Sequence, residues 1–331
     1  IAFGNSGREY RNLGSYSKAL KYHLESLKSK EKIASEKEIA ESLINLGITS
    51  WRLDDYAKAL DYCLKSLTLY EKIDHQEGIA KALHNTGIVY DLLGSHDKAL
   101  EFLESALVIR EHLGNKKDLA DTLNNIGIIY YFSNDFGKSL EYYLRSSKLQ
   151  EEIGDKKGLA KSLNNIGFTY KGLHNLEKAQ EYYLKSLQIS QELNNYYEVV
   201  NVSNNLGQLY MELRDYEKAF SYLEQALKLA QTKGVSSKSF LRENYEFFSD
   251  LYVAKGEHLK ALEFYNKSSA VRDQMFNEES QNKIAELQTT YETEKQEKEI
   301  ELLKKESDIK GLELARQRLF KNSLLGGFAL V

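Results

Sequence analysis

Along most of the chain apolar residues recur every three or four positions, the spacing of an amphipathic helix rather than of a strand. Between 123 and 133 the residues Leu123, Ile126 and Tyr130 mark one such face. The polar pair Asn134-Asp135 interrupts it, and a second periodic stretch follows over 136–153. Asp135 can accept from the free backbone N–H groups that open this second helix. Gly154 stands where it ends, as do Gly114 and Gly234 in equivalent stretches, because glycine readily takes the left-handed conformation that closes a helix. The pattern predicts a helical hairpin, with a first helix of about thirteen residues and a second of about eighteen.

The hairpin repeats with a period of forty residues. Segments 41–80, 81–120, 121–160, 161–200 and 201–240 align without a gap, and 1–40 fits ahead of them. Glycine recurs at Gly7, Gly47, Gly87, Gly127, Gly167 and Gly207, with tyrosine three positions later except at Ser50. Small residues recur at Ala19, Ala59, Ala99, Ser139, Ala179 and Ala219, and again at Ser26, Ser66, Ala106, Ser146, Ser186 and Ala226. Helices carrying such residues can pack closely. After a two-residue insertion, Ser249, Tyr252, Ala261 and Ser268 continue the columns, which gives seven units over 1–280.

Leu163, Ile166, Gly167, Tyr170, Ala179, Tyr183 and Ser186 match the order large, Leu, Gly, Tyr, Ala, aromatic, small that distinguishes tetratricopeptide repeats from other helical arrays. Residues 1–280 therefore resemble tetratricopeptide repeat proteins. The family proline is replaced by Glu31, Glu71, Glu111, Glu151, Gln191 and Gln231, so the second helix can continue, similar to the long repeats of kinesin light chains. The resemblance implies an all-α fold, an α-solenoid of helix hairpins wound into a right-handed superhelix with a concave inner face.

Asparagine recurs at Asn5, Asn45, Asn85, Asn125, Asn165 and Asn205, although it is a mediocre helix former. A second amide precedes it at Asn124, Asn164 and Asn204, with His84 in the same column. Two readings stay open. The amides either bond one repeat to the next, or face the groove and pair with the backbone of a bound peptide, since an amide both donates and accepts. The candidate groove carries Asn45, Asn85, Asn125, Asn165, Asn205, Asn124 and Asn164, with Ile88, Ile128, Phe132 and Phe168 supplying apolar contacts on the same helical face. Ile88 and Ile128 could equally pack against the preceding repeat. The carboxylate clamp of chaperone-binding members needs Lys and Asn one turn apart. Here those columns hold Ile44 with Ile48, His84 with Ile88 and Asn124 with Ile128, so no clamp is expected.

Composition narrows the function. The chain of 331 residues has no proline, one cysteine and a net charge of −4. Unbroken helices are favoured, an intrachain disulfide or thiolate zinc site is excluded, and no basic excess points to nucleic acid. Cys63 shares a column with Leu103, Tyr143 and Tyr183 and reads as a core residue. The seven histidines form no metal-binding pair and no phosphate loop occurs. No catalytic residue, metal or cofactor is expected in this segment, and the expected partner is a protein or peptide.

Beyond 280 the pattern changes. Residues 281–319 are rich in mixed charge and good helix formers, and read as a connector helix. Its thin stripe of Ile284, Leu287 and Tyr291, resumed at Leu302, Ile309, Leu312 and Leu319, is compatible with a solvated helix or with a coiled coil that would make a homodimer. Residues 323–331 carry no charge. They fit a docked apolar tail or the start of a membrane helix at 320–331, although a span needs about 20 residues. The stretch 285–303, followed by basic and apolar residues, resembles Bacteroidetes-type membrane signalling proteins. That resemblance implies a periplasmic repeat sensor, a connector, a membrane helix and an output domain such as a histidine kinase. Arg316, Arg318 and Lys321 ahead of the apolar run favour the opposite orientation. A stand-alone adaptor scaffold is the competing expectation.

Overall fold

The computed structural model describes residues 2–12, 15–30, 34–232, 237–277, 305 and 310. They fall in two units, Ile1–Val271 and Arg272–Val331. In the second unit 272–277, 305 and 310 are helical. The rest of the expected connector and the apolar run at 320–331 lie outside the described residues. The first unit is built from α1 (Ala2–Asn12), α2 (Tyr16–Lys30), α3 (Glu36–Trp51), α4 (Tyr56–Lys72), α5 (Gln76–Leu92), α6 (His96–Leu113) and α7 (Lys116–Phe132). It continues with α8 (Phe136–Glu152), α9 (Lys156–Gly172), α10 (Leu176–Glu192), α11 (Tyr196–Glu212), α12 (Tyr216–Ala230) and α13 (Lys238–Ala254). A further helical stretch begins at 258, and no strand occurs among the described residues.

The odd-numbered helices start earlier than the forty-residue frame suggested. The cause is a column of caps just ahead of the frame boundary. Ser35 forms a reciprocal capping box with Glu38, His75 accepts at Nδ1 from the Gly78 N–H at 2.9 Å, and Asp155 accepts from Gly158 at 3.0 Å. Each satisfies a backbone donor that the first helical turn leaves unpaired. The even-numbered helices open as expected on Asp55, Asp135, Asn175 and Asp215, which accept from the N–H three residues on. Ser95 makes no such bond. The residue before each of these caps is left-handed, including His174 at φ 55° and Arg214 at φ 59°.

Within each hairpin one contact recurs. A Cβ placed on Gly47, Gly87, Gly127 or Gly167 would lie 2.7 Å from the side chain of Cys63, Leu103, Tyr143 or Tyr183 respectively. Each of these side chains is buried. The glycine is a socket and the residue sixteen positions later fills it. Within the hairpin, hydroxyls of the small column add direction. Ser66, Ser146 and Ser186 donate to the carbonyls of Ala40, Ala120 and Ala160 at 2.7–2.8 Å, tying an even helix to the odd helix of its own hairpin; Ser146 also lies 3.3 Å from the Ser162 hydroxyl on the next odd helix. The periodic tyrosines stack with a ring twelve residues on, as in Tyr90–Phe102, Tyr130–Tyr142, Tyr170–Tyr182 and Tyr210–Tyr222. Lys98, Lys138, Lys178 and Lys218 lie over the first ring of each pair. Such stacks contribute about 0.5–1.5 kcal/mol each. Ser50 removes this device from the second hairpin.

Odd helices also touch one another across hairpins, α1 with α3 and onward to α11 with α13, whereas no pair of even helices makes comparable contact. The odd helices therefore form the tighter, concave layer of this unit.

Two outcomes follow. Gly167→Ala forces the Tyr183 ring aside and should cost about 1–3 kcal/mol in urea melts, although alanine is the better helix former. Adding Tyr183→Ala should make the pair cost clearly less than the sum of the single changes; simple additivity would refute the socket. Cys63 is fully buried, and burial pushes its thiol up to about 12. It should react with a maleimide only as fast as the array opens around it.

Candidate functional site: the inner face of the odd helices

The amide columns resolve into two kinds of contact. From α5 onward the repeats are bonded side chain to side chain. Asn165 donates from Nδ2 to Oδ1 of Asn124 at 3.0 Å, Asn205 to Asn164 at 2.9 Å, and Asn244 to Asn204 at 2.9 Å. Asn124, Asn164 and Asn204 are buried. Asn124 and Asn164 thus belong to the seam between repeats and do not line an open groove, because their oxygens are taken by the next repeat. Ahead of α5 the corresponding column holds Gly4 and Ile44, which offer no acceptor side chain. Asn45 and Asn85 accordingly turn back and donate to the carbonyls of Glu41 and Lys81 on their own helices, at 2.9 and 2.7 Å. Asn85 is buried as well.

His84 occupies the acceptor column in place of asparagine. Its Nδ1 stands 3.1 Å from Nη1 of the buried Arg110, which can only donate. Nδ1 is therefore the unprotonated nitrogen. Nε2 lies 3.3 Å from Nδ2 of Asn125 across the seam. Arg110 also donates to the Asp118 carbonyl at 2.8 Å and to the Thr122 hydroxyl. Burial, and then the charge of Arg110, hold the His84 pKa down at about 3.

What faces outward is apolar and aromatic. Phe132 is 67% exposed and Leu92 46%. Tyr131 sits edge-on to Phe132 at 5.6 Å and packs against Phe168 at 4.8 Å. Phe136 joins them 5.3 Å from Tyr131, in space left by Gly172, where a Cβ would meet its ring at 3.1 Å. Ile88, Ile128 and Phe168 are half-buried. Ile128 packs on the cluster of Tyr143, Leu163 and Ile166, and Phe168 on that of Tyr183 and Leu187, so both serve the core as well as the surface. Tyr131 was missed in the sequence because its column otherwise holds Arg11, Trp51, Asp91, Lys171 and Met211. Beyond Phe168, Lys171 binds Gln208 at 2.7 Å and Glu212 at 3.1 Å. Among the described residues no group of three His, Cys, Asp or Glu side chains could hold a metal. No helix among them is long and apolar enough to cross a membrane.

Comparison with known proteins agrees with this architecture. The tetratricopeptide repeat model matches 38–112, 93–152, 118–192, 158–232 and 198–274, and the chain belongs to the tetratricopeptide repeat family. No curated protein sequence matches it. Among solved structures, the chain is similar to a Signal Transduction ATPase with Numerous Domains that carries a tetratricopeptide repeat sensor, from Pyrococcus horikoshii. That match has TM-score 0.68 and 20% identity, over 84% of this chain and 43% of that one. It is similar to the Rap conjugation gene regulator of the plasmid pLS20 in complex with the Phr peptide, at TM-score 0.64 and 16% identity over 83% and 74%. BtubC from P. vanneervenii matches at TM-score 0.56 and 22% identity over 67% and 90%. At these identities the likeness is one of fold.

The seam can be tested by stability. Asn165→Ala leaves the buried Asn124 oxygen without its donor and should cost about 1–3 kcal/mol, whereas Asn85→Ala gives up only a bond within its own helix and should cost less. Equal losses would refute the distinction. His84 is held neutral in the fold, with a folded pKa below its unfolded value of 6.5. Its contribution is intact above about pH 6.5 and is lost as pH falls toward 3. His84→Asn should therefore retain more of its pH 7 melting temperature at pH 5 than the parent retains. His23, which burial and then Arg11 and Arg8 hold down at about 4, gives both proteins a common acid sensitivity of the same sign.

Proposed function

We propose that the inner face of the odd helices binds an extended segment of a partner protein, and that this chain is an interaction module and not a catalyst. The observation that carries this reading is Phe132, a phenylalanine two-thirds exposed and backed by Tyr131 and Phe168, beside amides with bonding capacity to spare. Oδ1 of Asn125, Asn165 and Asn205 accepts no hydrogen bond among the described residues, the Nδ2 group of each being turned to the seam. Together they offer acceptors at the spacing of successive repeats, which suits the N–H groups of a peptide backbone irrespective of its side chains. The Rap regulator, a structural neighbour, is in complex with a peptide, which supports the reading by analogy of fold.

The larger setting follows the sequence. We infer that the repeats are the sensor part of a membrane-anchored signalling protein, with the repeats in the periplasm and an output domain such as a histidine kinase. Support comes from the resemblance of 285–303 to such proteins, from the apolar run that follows, and from the repeat sensor of the Pyrococcus neighbour. Retention of the natural protein in the membrane pellet after alkaline extraction is the expected result; full release favours the adaptor alternative.

The groove is tested with a phage-displayed library of random peptides about twelve residues long. Selected sequences should share at least one large apolar residue and compete with one another. Phe132→Ala should weaken them about tenfold or more in fluorescence anisotropy, as burial of an exposed phenylalanine is worth about 1.5–3 kcal/mol, with the melting temperature unchanged. Selected peptides that bind the variant as tightly as the parent would overturn the assignment.

A further inference from the structure

Arg11, on α1, reaches across to α3 and donates from Nη1 to Oδ1 of Asn45 at 3.1 Å. Its guanidinium thereby lies on the same amide face as the groove. Arg8 stands one turn earlier on α1, and Arg52 caps the C-terminus of α3, at the register position that Leu92 and Phe132 occupy on α5 and α7. Arg8 and Arg52 are exposed and Arg11 half-buried. Among the described residues none of the three forms an ion pair. The Arg11 pKa is held below its ordinary value by burial, then by the charges of Arg8 and Arg52, with no carboxylate among the groups that act on it. Glu41, the acid nearest in sequence on the α3 face, acts instead on Tyr70, which burial first and then Glu41 and Glu77 push up to about 12. Three uncompensated guanidinium groups at one end of a groove repel one another, and a ligand carboxylate relieves that cost. At the far end the cation is already neutralised, since Lys171 is held by Glu212. The inner face is therefore cationic at α1 and α3 and carries the exposed apolar seat at α5 to α9, where the nearby charges are already paired, Asp91 with His96 and Lys171 with Glu212.

We infer, building on the groove proposed above, that Arg8, Arg11 and Arg52 receive the acidic end of the bound peptide while Phe132 seats an apolar side chain of the same segment. The register fixes the spacing. Arg52 and Phe132 hold equivalent positions two repeats apart, and packed helices lie about 8–10 Å from their neighbours. Two such steps make roughly 20 Å, or about six residues of extended chain at about 3.3 Å each. The ligand class is an apolar anchor with two or more carboxylates about six residues away.

The test uses fluorescein-labelled synthetic peptides in a serine-rich background, each with a pair of leucines and a pair of aspartates. Spacers are of about two, six and ten residues, in both chain orders, with matched peptides carrying serine or lysine in place of aspartate. By anisotropy, the aspartate peptide with the middle spacer should bind about five- to tenfold tighter than its serine counterpart, the gain that two guanidinium–carboxylate pairs can give. The gain should shrink in high salt. Arg52→Glu should erase it and turn the preference toward the lysine peptide, and Arg8→Glu should act in the same direction, both with unchanged circular dichroism. Aspartate and serine peptides of equal affinity, both weakened by Phe132→Ala, would overturn the acidic end and leave the groove standing. An aspartate preference indifferent to spacer, or kept by both arginine variants, would overturn the assignment to these residues. If no peptide binds the parent protein, the groove fails and this inference fails with it.

Discussion

Everything in the array rests on how near the two helices of one hairpin come. A glycine on the odd helix receives a side chain from the even helix at a distance no Cβ would tolerate. Interiors are close-packed, so this spacing cannot relax without cost. Once it is set, the serine hydroxyls reach the carbonyls of the odd helix beside them, and the odd helices come close enough for amides forty-one residues apart to bond. The socket is filled by cysteine, leucine or tyrosine in different repeats. What is kept is the depth of the socket, not the chemistry of its plug.

Division of labour on the inner face follows from geometry. A residue at the acceptor column points into the seam and is buried; its neighbour, one position on, crosses the seam with one group and shows the other outward. His84 can replace asparagine in that column because a neutral imidazole, like an amide, accepts at one atom and donates at another. Arg110 fixes which atom does which. The ring is uncharged at neutral pH, and the substitution makes this repeat the acid-sensitive member of the row.

Much of this was legible in the sequence. The forty-residue columns gave the helices, their pairing and the family, because each column answers a packing requirement repeated in every unit. The amide column was visible, but its meaning was not. Whether Asn165 faces a ligand or a neighbour depends on what stands forty-one residues earlier, and only packed helices reveal that pairing. The early start of the odd helices was hidden because the frame had been drawn through the middle of a helix, and Ser35, His75 and Asp155 share a capping function without sharing a residue type. Tyr131 and Arg11 were missed for the opposite reason. They occur once, and periodic reading is blind to what does not recur.

The row of cross-seam amide bonds begins at His84, since Gly4 and Ile44 supply nothing for Asn45 and Asn85 to bond. The second hairpin also lacks the tyrosine stack, through Ser50. In an array where each unit contacts only its neighbours, stability is a sum over junctions, and the junctions are unequal here. The chain from α5 to α13 is riveted side chain to side chain by amides and an imidazole, whereas before it the polar ties between repeats are made by long cations, Arg11 to Asn45 and Lys30 to Ser42. Opening should then travel inward from the amino end and stall at α5, a zipper with a stop partway along. The arginines lie on the side of that stop where the protein can give, and the aromatic seat on the side where it cannot.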